Sequence, residues 1–499
     1  MDYLEEYKKY QKKLNDLSYT ISILSYDLET ICPKNDLKRA YEVINNYEIM
    51  KSNLYNSDEY YDILCNLINK DDLDDVTKMS VRLEHKEITK ERLVPEHLRN
   101  KGFKISSDAH LNWLEGRENN DFSKFITSLD ELIDYNKKVA RYKDKNKEPY
   151  DVLLDMYEDD MDQNKYDEFF QLIEKELLPV LKKCQSAPKK YNTDIRNIKF
   201  DIDKQKHLTK DIAEMMGFNS DFGIIAETIH PFSNTINKDD ARITTSYKEE
   251  LLFSNIYSVM HEIGHAFYDL GSGTLYNNTP LFGGTSMGLH ESQSRFFENY
   301  LGRKKAYINH LYELLIKYFK DELKGYTKDD IYYYVNDVTD ESLRVEADEL
   351  SYPFHIIIRY KVEKALFKGE IKAAGVEKYF NDLFYKYFGY YPKNLTNGAF
   401  QDVHWTGSFG YFPTYALGNA FGAQFYYSMI KEINIDKDLE EGNFKNIKDW
   451  LLKNIHIYGR SKKNFEVIWL ATKEKFNPEY YIKYLKDKFN QIYDLKEEI

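Results

Sequence analysis

His261, Glu262 and His265 stand in the run Met260–Ala266, MHEIGHA, a His-Glu-x-x-His motif. On a helix, residues four apart lie about 40° apart around the axis and one turn along it, so the two imidazoles converge on one point. A Zn²⁺ ion there takes nitrogen donors at about 2.0–2.1 Å and keeps a tetrahedral position open for water. Glu262 is placed to reach that water without ligating the metal. The chemistry written into these three residues is metal-assisted hydrolysis with Glu262 as general base.

The surrounding residues must supply a helix that aims the histidines. Leu252, Ile256, Val259, Ile263, Ala266 and Leu270 recur at steps of four and three, an apolar stripe facing the core. His261 and His265 fall on the opposite face, with Tyr257 and Tyr268, and so line a cleft rather than the main core. A third ligand comes from beyond the turn-rich run LGSGTLYNNTPLFGGTSMG, on a second helical pattern, LHESQSRFFENYLG. Glu291 is the best placed; His290 and Glu298 are its competitors. Position 295, where a carboxylate supporting the site is common, holds Arg295, so that support must come from elsewhere.

With 70 Lys+Arg against 83 Asp+Glu the net charge is −13, which repels nucleic-acid phosphates. The 44 Tyr, 29 Phe and 4 Trp argue for a filled core, while only 22 Gly and 11 Pro leave too few turn residues for an all-β fold. Cys32, Cys65 and Cys184 are far apart, which excludes a disulfide framework and a thiolate metal site. The opening MDYLEEYKKYQKKL lacks a signal-peptide apolar region, and no apolar stretch is long enough to cross a bilayer. The expectation is a soluble cytoplasmic protein with no membrane and no nucleic-acid partner.

Residues 1–215 read as charged helical segments; in YDEFFQLIEKELLPVLKK, Phe169, Ile173, Leu177 and Val180 form one stripe. Residues 100–150 read as solvated helix faces with short connectors. GIIAET and ARITTSY predict two brief strands within 217–247. Helical pattern resumes at about 249, with breaks at 271–289 and 388–414. No boundary divides the chain, so the fold class is mainly α, a single large helical domain over 1–499 with a small β-sheet.

Five blocks in order carry a family resemblance: DARIT at 240–244, HEIGH at 261–265, HESQ at 290–293, LRVEAD at 343–348, and GAFQDVHW at 398–405. Together with ILSYDLETICP near the start, YDVLLDMYE at 150–158 and FGYFPTYALGN at 409–419, they make the chain resemble the Taq carboxypeptidases (thermostable carboxypeptidase 1 type), zinc metallocarboxypeptidases, along nearly its whole length. Leu343 replaces the usual Ile, and Phe297 a common Trp. The resemblance implies a deep active-site groove with the small sheet at its edge, one Zn²⁺ per chain that Co²⁺ can replace, a homodimer, and release of single residues from peptides with a free carboxyl end.

That substrate needs a receptor for a carboxylate, for which guanidinium is the natural donor. Arg344, from the fourth block, is the candidate, with Tyr411 and Tyr415 as phenolic partners. His230, in HPF, and His404, in QDVHW, are candidate donors to the oxyanion or the substrate backbone. Asp240 and Arg242 are expected to pair with each other, and Asp402 to orient a metal-binding histidine. The rival readings are a zinc oligoendopeptidase or a dipeptide-releasing carboxypeptidase, which share the metal helix, and a helical scaffold with a vestigial metal site.

Overall fold

The computed structural model describes residues 2–228 and 230–495. Helices dominate throughout, as the shortage of turn residues implies. The 100–150 region holds two long helices, Glu96–Asn119 and Ser123–Lys143, joined by the short connectors expected. Their inner faces supply Ile105, Trp113, Phe125 and Leu129 to the core, which the abundance of Lys, Asp and Asn on the outer faces conceals.

Most apolar side chains join one extensive core, which includes the Phe169–Ile173–Leu177–Val180 stripe on the Gln163–Ser186 helix. A second, smaller cluster lies among the N-terminal helices and contains Tyr7, Leu14, Tyr60, Leu64, Val81 and Ile88. Within it the buried Glu84 carboxylate accepts hydrogen bonds from Tyr7 Oη at 2.8 Å, Tyr60 Oη at 2.8 Å and Gln11 Nε2 at 2.8 Å. Among the described residues no helix is long and apolar enough to cross a membrane, and the three cysteines are free thiols.

The sheet has three strands, one more than the sequence predicts: β1 Gly223–Glu227, β2 Ser233–Asn237 and β3 Asp240–Thr245, in the order β1-β3-β2. β1 runs parallel and β2 antiparallel to the central β3. The missed strand, SNTIN, is polar and rich in Asn, a residue depleted in strands. Thr244 N–H donates to Phe232 O at 2.9 Å. With Asn234 opposite Arg242, this register turns the main chain of Ser233 and Thr235 away from β3, towards the unpaired edge.

The motif helix runs Leu252–Tyr276, straight through the break expected from 271. Gly271 and Gly273 do not end it, because they are packing positions: a Cβ at Gly271 would lie 2.5 Å from His456 Cβ, and one at Gly273 2.7 Å from Lys238 Cβ. The predicted stripe is buried from Leu252 to Ala266, with Leu270 partly buried. The opposite face is covered as well, with Tyr257 and Tyr268 both buried, so this helix is wrapped rather than half-exposed. The Met287–Arg295 helix, capped by Ser286, continues into a wide π turn at Phe296–Leu301. It is flanked by the motif helix and by the Phe412–Met429 helix.

Candidate metal centre

The motif helix and the Met287–Arg295 helix meet with almost no space between them. A Cβ on Gly264 would sit 2.6 Å from Gln293 O and 2.7 Å from Ser294 Cα, and one on Gly418 would sit 2.7 Å from Glu291 Cβ. This close approach brings His261, His265 and Glu291 together, one ligand atom of each lying within 4.8 Å of the others. Glu291 Oε2 is 3.8 Å from His261 Nε2 and 3.6 Å from His265 Nε2. Donors at about 2.0–2.1 Å around a tetrahedral ion stand roughly 3.4 Å apart, so both Glu291–histidine separations suit such an ion to within a few tenths of an ångström. Two imidazoles and one carboxylate also form a donor set that Zn²⁺ and its near neighbours favour.

Each of the three is held from behind. His261 Nδ1 meets Glu298 Oε2 at 2.9 Å. His265 Nδ1 meets His290 Nδ1 at 2.5 Å, and His290 Nε2 meets Asp269 Oδ1 at 2.9 Å. Arg295 Nε donates to Glu291 Oε1 at 2.7 Å, and its Nη1 to Glu298 Oε2 at 3.0 Å. The two competitors for third ligand, His290 and Glu298, therefore back the histidines rather than face the triangle. Burial opposes charge on Glu298, yet Arg295 and His261 hold its carboxylate well below the usual range.

Glu262 is buried beside this group. Burial, with the Glu291 carboxylate nearby, pushes it up to about 7 against the opposing pull of His261 and a hydrogen bond from Ser233. A carboxylate poised there exchanges protons readily near neutral pH.

Asp402 does not orient a metal-binding histidine, contrary to expectation. It is taken by two buried arginines: Arg344 Nε donates to Oδ1 at 2.9 Å and Arg359 Nε to Oδ2 at 2.6 Å. Two guanidinium groups outbid a neutral imidazole for one carboxylate. Arg344 Nη1 also donates to Tyr352 Oη at 3.1 Å, and its guanidinium lies 4.8 Å from the Tyr415 ring centre. The pairing with Tyr415 is thus through the ring face, not the phenol. Tyr411 and Tyr415 pack edge to face at 5.1 Å, and His404 Nε2 lies 3.1 Å from Tyr415 Oη. Burial, with Arg344 and Arg359 adding to it, pushes His404 down to about 4, so it is neutral at pH 7. His230 is exposed and makes no hydrogen bond among the described residues. Asp240 and Arg242 form the expected pair through two 2.9 Å contacts.

Asp269, Arg359, Tyr352 and Ser233 were not picked out from the sequence. Asp269 carried a usable signal, since it lies four residues after His265 on the same helix face. The others are placed only by tertiary packing.

A motif helix carrying two imidazoles, with a carboxylate brought in by a second helix and a buried glutamate alongside, defines a metal-dependent peptide hydrolase. Comparison with known proteins narrows the class. The family model for Carboxypeptidase Taq (M32) metallopeptidase matches residues 6–489, and the chain belongs to that family. It is 35% identical to Carboxypeptidase 1 of Bacillus subtilis over 494 residues, covering 98% of this chain and 99% of that one. It is 32% identical to Thermostable carboxypeptidase 1 of Pyrococcus furiosus over 481 residues, 95% of each chain. The crystal structure of an M32 carboxypeptidase from Deinococcus radiodurans superposes with a TM-score of 0.95 at 26% identity, covering 99% of this chain and 100% of that one.

Proposed function

We propose that the protein is a zinc-dependent carboxypeptidase that removes single residues from peptides with a free carboxyl end, with His261, His265 and Glu291 as metal ligands and Glu262 as general base. The observation that carries this reading is the convergence of those three side chains beside a buried glutamate. A Zn²⁺ ion, or Co²⁺ in its place, supplies polarisation of the scissile carbonyl and acidification of a water when bound. Glu262 accepts the proton of the attacking water at its carboxylate and delivers it to the leaving amine. Glu298 and the His290–Asp269 pair keep the ring nitrogens of His261 and His265 turned inward.

Arg344 receives the substrate carboxylate. It shares Asp402 with Arg359, so the three groups carry one net positive charge, which draws a carboxylate in. Tyr411 and Tyr415 flank that end, and His404 and His230 donate to the oxyanion or substrate backbone. The outward main chain of Ser233 and Thr235 offers donors and acceptors to an extended peptide. The cytoplasmic homodimer implied by the resemblance belongs to the same proposal.

The test is mass spectrometry of a peptide ladder with free and amidated ends, with and without chelator. Stepwise loss of single residues from free ends only, abolished by chelation, supports the proposal. Cleavage of amidated peptides would favour the oligoendopeptidase reading, and loss in steps of two the dipeptide-releasing one. Glu262→Gln should retain the metal and lose turnover by several orders of magnitude; a fully metallated, active variant would refute the base assignment.

A further inference from the structure

Outside the metal group, one fully buried carboxylate is Glu158, the residue that ends the YDVLLDMYE segment. It caps the Pro149–Tyr157 helix and is 0% exposed. Its Oε1 accepts from Ser286 Oγ at 2.8 Å and Asn464 Nδ2 at 2.6 Å, and its Oε2 from Gly288 N–H at 2.8 Å. Among the described residues it has no ion pair with Lys, Arg or His. Two of its three donors belong to the first turn of the Met287–Arg295 helix, the helix that brings Glu291 to the histidines. Ser286 in turn accepts from Leu289 N–H at 3.2 Å, so one chain of hydrogen bonds runs from Glu158 through the helix cap.

We propose that Glu158 is a positioning residue for the metal: it fixes the height and rotation of the helix that presents Glu291. Three features support this beyond the contacts themselves. The positive end of a helix is the natural neutraliser for a buried carboxylate without a cation. Gly288 is small because a Cβ there would fall 2.5 Å from Glu158 Oε2, so the carboxylate is in direct contact with the helix backbone. The anchor also lies one turn from Glu291, where a small rotation of the helix becomes a displacement of the ligand atom. Burial pushes Glu158 up to about 7, which fits a group that neither solvent nor a salt bridge satisfies.

This inference rests on the reading that His261, His265 and Glu291 hold the metal. Its test compares the full-length chain with E158Q, E158A and S286A, and with E84Q, a buried carboxylate equally dependent on neutral donors but belonging to the N-terminal cluster. Three quantities are read: Zn²⁺ affinity by chelator competition, the visible spectrum of the Co²⁺-loaded protein, and the melting temperature of the metal-free protein. E158A and S286A should bind Zn²⁺ about tenfold or more weakly and shift the Co²⁺ spectrum. E158Q, which keeps one acceptor oxygen, should recover part of the loss, and E84Q should lower the melting temperature with affinity and spectrum unchanged. Unaltered affinity and spectrum in S286A and whichever Glu158 variant folds, or an equal loss of affinity in E84Q, would overturn the proposal. If the unaltered chain and His261→Ala both fail to take up metal, the metal reading itself falls and takes this inference with it.

Discussion

Arg344 shows how one residue serves two partners. It is buried, and its ion pair with Asp402 is shared with Arg359. Removing Arg344 therefore leaves Asp402 neutralised by Arg359, whereas removing Asp402 strands two buried guanidinium groups at a cost of about 3–5 kcal/mol. Arg344→Ala should fold, and its kcat/KM preference for free over amidated peptide ends should fall by roughly tenfold or more, about 1.4 kcal/mol per factor of ten. An unchanged preference would remove Arg344 from the substrate site. The residues of the metal group were readable because helix periodicity fixes the relation of His261, Glu262 and His265 within a few ångströms. Asp402 was misread because its membership of a motif says nothing of which basic groups reach it. That depends on Arg359, which lies on the Tyr352–Lys368 helix and carries no spacing signal of its own.

The elements owe their spacing to glycines. Gly264 and Gly418 face the Met287–Arg295 helix from opposite sides, each where a methyl group would strike main chain or the Glu291 stem. Gly264→Ala gains up to about 1 kcal/mol in helix propensity, but overpacking costs about 1–3 kcal/mol, because the atoms it meets are backbone. It should lower the melting temperature and weaken metal binding together, as the two helices move apart. An unchanged melting temperature with full metal affinity would show that the contact is not limiting. Sequence pattern recovered the two strands rich in β-branched residues and the start of the motif helix. It lost β2, which is polar, and the last turns of the motif helix, where Gly271 and Gly273 look like punctuation but serve as contacts for His456 and Lys238.

At the scale of the whole molecule, Glu84, Glu158 and Glu363 are buried carboxylates that, among the described residues, are hydrogen-bonded only by neutral donors. Burial pushes Glu84 and Glu158 up to about 7 and Glu363 up to about 8, from an ordinary value of 4.5. Below about pH 4.5 each is protonated in both the folded and the unfolded chain, so their contribution to stability is fully present there. Between that point and about pH 7–8 the folded chain retains protons that the unfolded chain releases, so stability declines as pH rises. Glu298 and Asp402, held low by arginines, act in the opposite sense and only at more acid pH. Unfolding free energy followed from pH 4.5 to 8 should therefore fall less steeply in E84Q than in the unaltered chain, by at most about 1.4 kcal/mol per pH unit; identical slopes would mean that Glu84 is already ionised in the fold. None of this is visible in composition, which counts 83 acidic residues without saying which are dry. The tight seating of the ligand-bearing helix has one more consequence. A frame packed this closely should accommodate poorly the longer bonds and the six to eight oxygen ligands that calcium requires, so a metal taken up by these residues should be sorted by radius and coordination number before charge enters the contest.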